Sequence, residues 1–84
     1  LEMNRVWFDQ APLQVRDVDR VFAENNLHTR ASTANLAHAM ELNNVDRFTI
    51  RNNTYADNAG SGLYVPNGEG LITNNIFRNH GGPW

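Results

Sequence analysis

The chain has 84 residues, a formal net charge of -2, no cysteine and no lysine. One domain at most fits that length, with neither a disulfide framework nor a thiolate metal site to staple it. The charge balance offers no basic footprint for nucleic acid or an anionic membrane surface, no apolar run is long enough to cross a membrane, and without lysine a Schiff-base mechanism is excluded within the chain.

Thirteen asparagines stand out. Asn tolerates left-handed backbone and bonds to neighbouring main chain, which suits a tight turn made repeatedly. Val18-Asp-Arg-Val-Phe-Ala-Glu-Asn-Asn26 is echoed by Val45-Asp-Arg-Phe-Thr-Ile-Arg-Asn-Asn53, and a shorter copy ends in Leu71-Ile-Thr-Asn-Asn75. The second members of the doublets are 27 and then 22 residues apart, and Asn4 lies 22 before Asn26. A coil of about 22 residues with one five-residue insertion therefore describes the chain as a solenoid.

Along the chain, period-two alternation predicts three short strands per coil. The first set is Leu13-Gln-Val15, Met40-Glu-Leu42 and Leu63-Tyr-Val65, with the outer members inward and Gln14, Glu41 and Tyr64 outward. The second set, Val21-Phe-Ala23, Phe48-Thr-Ile50 and Gly70-Leu-Ile72, runs into the doublets. The third follows them as Arg5-Val-Trp7, Leu27-His-Thr29, Thr54-Tyr-Ala56 and Ile76-Phe-Arg78, aligning Val6, His28, Tyr55 and Phe77 toward the core. His28 reads on that alignment as a core histidine. Parallel pairing of equivalent strands about 4.8 Å apart would stack apolar files into a narrow core and link the Asn amides in a ladder. The Asn52-Asn-Thr54 triplet also fits an N-glycosylation acceptor, but the ladder accounts for it better.

The stretch Phe48-Thr-Ile-Arg-Asn-Asn-Thr-Tyr55 with Gly62-Leu-Tyr-Val65, echoed in Leu71 to Asn79, resembles the right-handed parallel β-helix repeats of pectate-lyase-like proteins. The expected fold is thus all-β, a right-handed parallel β-helix of about three coils with an Asn ladder and open ends. Residues 1–84 form a single segment, expected to belong to a longer solenoid or to stack on like subunits. Gly81-Gly-Pro-Trp84 at one end and Trp7 with Phe8 at the other are the candidate caps, and neither has the form of an amphipathic capping helix, so the ends are expected to stay open.

The resemblance implies a carbohydrate-active protein, secreted, extracellular or periplasmic, that binds or cleaves a polysaccharide by lyase or hydrolase chemistry. The rival is a non-catalytic structural or adhesive scaffold. In the resembled family the saccharide lies along the first-strand sheet, which places Glu41 and His38 as acid and base. Arg16, Arg30, Asn43 and Tyr64 would be the substrate-binding residues. His38 stands three residues before Glu41, after a long Ala-rich connection that would equally fit a short helix. Arginines suit uronate carboxylates because their fork binds them in a bidentate way. A carboxylate file of Asp19, Asp46 and Glu69 is the alternative site, for calcium. Arg20 and Arg47 beside it already offset that charge, so no metal or other cofactor is expected. The paired aspartates of the pectin hydrolases, the Asp-Pro-His motif of the mannuronan epimerases and the clustered aspartates of calcium-dependent pectate lyases have no counterpart.

Overall fold

A computed structural model describes residues 1–31 and 38–79. Nine strands occur among them: β1 (Glu2–Asn4), β2 (Trp7–Asp9), β3 (Leu13–Glu24), β4 (Leu27–Thr29), β5 (Met40–Arg51), β6 (Thr54–Ala56), β7 (Leu63–Tyr64), β8 (Glu69–Thr73) and β9 (Ile76–Arg78). All pairings are parallel, in one sheet of order β1-β3-β5-β7 with β8 also on β5, and a second of order β2-β4-β6-β9. The chain is a parallel β-solenoid of about three turns.

Two of the three expected files per coil agree with the ladder residue by residue. Leu13 opposes Met40 and Met40 opposes Leu63; Val21 opposes Phe48 and Phe48 opposes Gly70. The first and second sets are separate faces of single strands, because β3 and β5 each turn the corner on one left-handed residue, Asp17 (φ 57°) and Asn44 (φ 54°), without breaking the ladder. Asp and Asn accept that conformation at lower cost than residues with bulkier side chains.

The Asn doublets divide their labour. Asn25, Asn52 and Asn74 have positive φ and make the corner between second and third faces. Asn26 and Asn53 point inward and are buried, and Asn75 continues their line at the last coil. The backbone N–H of Asn26 donates to Asn53 Oδ1 at 2.8 Å, that of Asn53 to Asn75 Oδ1 at 3.0 Å, and that of Val6 to Asn26 Oδ1 at 2.9 Å. Each amide nitrogen donates across the corner, Asn26 to the Met3 carbonyl, Asn53 to Ala23 and Asn75 to Ile50. Successive coils are therefore joined mainly from side-chain oxygen to main-chain N–H, and a direct amide contact occurs between Asn53 Nδ2 and Asn75 Oδ1 at 3.2 Å. This satisfies groups that burial would otherwise strand.

The third face corrects the expected register. Glu2 opposes Phe22 and Phe8 opposes His28, so the first coil is two residues shorter than the Asn4 spacing suggests, and Asn4 sits beside Glu24. Phe8, not Val6, joins the inward file. Phe8, His28, Tyr55 and Phe77 stack nearly parallel, with centroid separations of 4.7, 4.7 and 4.9 Å. Repetition at the strand spacing brings the rings into contact along the solenoid axis. Met40, Leu42, Val45, Ile50 and Ala23 fill the rest of the core.

At the ends, Trp7 is 64% exposed and does not plug the core, whereas Phe8 packs against it. Leu71, Ile72 and Ile76 of the last coil are exposed. The Gly81–Trp84 cap and the helix considered within residues 32–37 lie outside the described residues.

Candidate active site on the first face

Alternation along β3, β5 and β7 turns Gln14, Glu41 and Tyr64 to the outside, and the register sets them side by side on adjacent strands. Glu41 is the best held of the three. Its Oε2 accepts a hydrogen bond from Asn43 Nδ2 at 2.8 Å, two residues on and therefore on the same face. Its Oε1 lies 4.0 Å from His38 Nε2. The His38 ring stacks on Tyr64, with centroids 4.5 Å apart and planes 10° from parallel. Its Nδ1 is buried and has no hydrogen-bond partner among the described residues.

Four of the six residues expected here, His38, Glu41, Asn43 and Tyr64, are thus gathered into one patch. Arg16 opposes Asn43 on the neighbouring strand, exposed and without an ion pair among the described residues. It borders the patch two residues beyond Gln14. Arg30 is placed elsewhere. It forms the corner after β4 with φ 54°, and its Nε donates to Asp9 Oδ1 at 2.8 Å while its Nη2 closes a bidentate pair with Oδ2. The guanidinium and the Thr29 hydroxyl hold the Asp9 carboxyl below the usual carboxylate range, and Asp9 in turn raises Arg30.

The patch combines a carboxylate, an imidazole nitrogen 4.0 Å from it and an aromatic ring, with a guanidinium at its edge. It contains one carboxylate: Gln14 and Tyr64 flank Glu41, and Asp17 lies at the corner, where it accepts a bond from Asn44 Nδ2. Hydrolysis by a facing pair of carboxylates has no second member on this face among the described residues. Glu69 opposes Arg47, not Asp46, so the three-carboxylate file considered for calcium does not form.

Two open grooves lie off this patch. One, of about 830 Å³, runs over the second face between Arg20, Phe22, Arg47 and Leu71; the other, of about 540 Å³, lies at the corner between Asn44 and Glu69. Neither is lined by His38, Glu41 or Tyr64. The first face is the better candidate although it lines neither groove, because acid, base and aromatic groups converge there.

A solenoid of parallel strands whose corners turn on single left-handed residues defines the class as a parallel β-helix. A family model described as right handed beta helix region matches residues 4–83, and the chain belongs to that family. No curated protein and no solved structure matches the chain. The sequence alone does not give the stacking of His38 on Tyr64, since His38 precedes β5 and its direction does not follow from strand alternation. The Asn43 to Glu41 bond was available from alternation alone.

Proposed function

We propose that the first face binds a polysaccharide and that Glu41 and His38 act there as a base and acid pair. The observation that carries this reading is the convergence of His38, Glu41, Asn43 and Tyr64 from two coils and an inserted connection. Asn43 fixes one Glu41 oxygen, leaving the other directed toward His38 and solvent, while the His38 and Tyr64 rings offer an edge for a sugar. Arg16 is the group to neutralise a uronate carboxylate.

The single carboxylate favours elimination over two-carboxylate hydrolysis. Glu41 takes the proton next to the uronate carboxyl, the electron pair forms the new C=C bond as the glycosidic C–O bond breaks, and the leaving oxygen receives a proton from His38. We place the protein in a secreted, extracellular or periplasmic setting, where such polymers occur. The exposed Leu71, Ile72 and Ile76 favour cover by further coils or like subunits. The rival reading, a non-catalytic scaffold, shares this fold.

The test is a turnover screen on uronate and neutral polysaccharides that follows new reducing ends and the ultraviolet absorbance of an unsaturated product. Reducing ends with absorbance from the parent chain, both lost in Glu41→Gln and His38→Ala, are expected. Reducing ends without absorbance would replace elimination by hydrolysis. No product from folded chain on any polymer would overturn catalysis and leave the scaffold.

A further inference from the structure

We infer that Trp7, Asp9 and Arg30 form a second saccharide-binding platform on the third face, separate from the Glu41 patch. Trp7 is the largest apolar side chain described and is 64% exposed. It lies outward on β2, with Phe8 turned into the core and Asp9 outward again. Because an outward file stays outward however many coils are stacked above it, this exposure is a property of the face.

The indole is also fixed in place. Its Nε1–H donates to Thr29 Oγ1 at 2.9 Å, the Thr29 hydroxyl donates to Asp9 Oδ1 at 2.8 Å, and the same oxygen accepts from Arg30 Nε. Four residues from two coils are thus joined in one chain of hydrogen bonds on the surface. Such a network costs side-chain freedom and gains little stability where water competes. Its effect is to present a rigid aromatic surface beside a bidentate ion pair. Arg30 retains its Nη1 donors, which have no partner among the described residues, and its side chain is 57% exposed. Half-exposed Leu27, in register with Trp7 one strand over, extends the apolar floor.

A ligand for this surface needs an apolar face of ring size with hydrogen-bonding groups at its rim. A pyranose unit has that distribution: its C–H face lies on an aromatic ring, and adjacent hydroxyls donate to a carboxylate and accept from a guanidinium. A rigid aromatic anchor binds at reduced entropic cost, which makes even a single-ring contact measurable. The platform does not depend on the elimination chemistry proposed above.

The test uses the full chain carrying Trp84→Phe, which leaves Trp7 as its one tryptophan, with cellohexaose, xylohexaose and hexagalacturonate as probes. Saturable change of Trp7 fluorescence with at least one probe is expected. By calorimetry, affinity for that probe should fall about tenfold in Trp7→Leu, which keeps apolar cover but loses the ring face. A smaller loss is expected in Arg30→Gln, and the Trp7 fluorescence response, which reports on this face alone, should persist in Glu41→Gln. Four outcomes would overturn the inference: no saturable change with any probe, undiminished affinity in Trp7→Leu, loss of the Trp7 signal in Glu41→Gln, or a Trp7-dependent dimer in sedimentation. The last would assign the patch to contact between copies. Circular dichroism of each variant separates lost binding from lost fold, and Trp7→Phe, which retains a ring, should recover part of the affinity.

Discussion

Replacing His28 by phenylalanine should make the protein more stable and remove part of its sensitivity to acid. His28 is 1% exposed, stacked between Phe8 and Tyr55, and neither ring nitrogen has a hydrogen-bond partner among the described residues. A buried polar atom left unpaired costs about 1–3 kcal/mol, and a neutral imidazole has one donor and one acceptor in that condition. Phe keeps a planar ring in a file already spaced for rings, so overpacking should offset only part of the gain. The expected net effect at pH 7 is about 1–3 kcal/mol, with each kcal/mol raising Tm by about 4–8 °C for a domain of this size.

The acid effect has a definite sign. Burial lowers the His28 pKa from 6.5 to about 4, so between those values the unfolded chain binds a proton that the folded chain refuses. This contribution is fully present above about pH 6.5 and lost as pH falls toward 4, with a limiting slope of about 1.4 kcal/mol per unit. The neighbouring titratable group, Tyr55, has its pKa raised by burial and stays neutral throughout that window. Urea unfolding of both proteins at pH 7 and pH 5, followed by circular dichroism, should show the stability gap widening by about 2 kcal/mol at the lower pH. Every other ionisable group is common to both chains and cancels in the comparison. Equal gaps at the two pH values would mean that the imidazolium finds a partner in the folded core and that burial of His28 carries no acid sensitivity.

Asn53→Leu should cost about 3 kcal/mol, since it strands the Asn26 N–H and removes the side-chain bonds to Ala23 O and Asn75 Oδ1, the latter keeping only the main-chain N–H of residue 53; an unchanged Tm would count against the inter-coil bonding described above. Asn52→Val should lower stability by about 1–2 kcal/mol while Asn52→Gly is tolerated, because position 52 needs a φ of 57°. Gly70→Ala should lose more than about 2 kcal/mol in thermal melts, as its Cβ would lie 2.0 Å from the Phe48 carbonyl oxygen, a main-chain atom that cannot swing aside. Tyr64→Ala should weaken polysaccharide binding to the first face without moving Tm, since the phenol is exposed and stacks only on His38 in the described structure.

How far the fold could be read in advance depended on which residues set the register. Within a strand the face of each residue follows from alternation, so Gln14, Glu41 and Tyr64 were legible as one outward file and Leu13, Met40 and Leu63 as one inward file. Between coils the register depends on coil length, for which Asn is an ambiguous marker. It occurs inward at Asn26 and Asn53, at left-handed corners as Asn25 and Asn52, and inside β1 as Asn4. Counting from Asn4 therefore displaced the first coil by two residues, and that one displacement hid both Phe8 in the ring file and Asp9 as the partner of Arg30.

The ring file would have been the safer marker. A ring followed two residues later by a left-handed corner occurs at Phe8 and Gln10, His28 and Arg30, Tyr55 and Asp57, and Phe77 and Asn79. The corner position accepts several polar side chains, since it asks only for a backbone conformation. The ring position is constrained by neighbours on both sides at a fixed spacing. In a solenoid the register is held most tightly by groups that must touch their own equivalents in the next coil, which here are the rings and the inward amides. The outward residues that would carry chemistry are free of that constraint, so their placement follows from the register and cannot be used to find it. Arg30 illustrates this: its residue type suited a substrate carboxylate, but its position, set by the files beneath it, gave it Asp9 and a place beside Trp7.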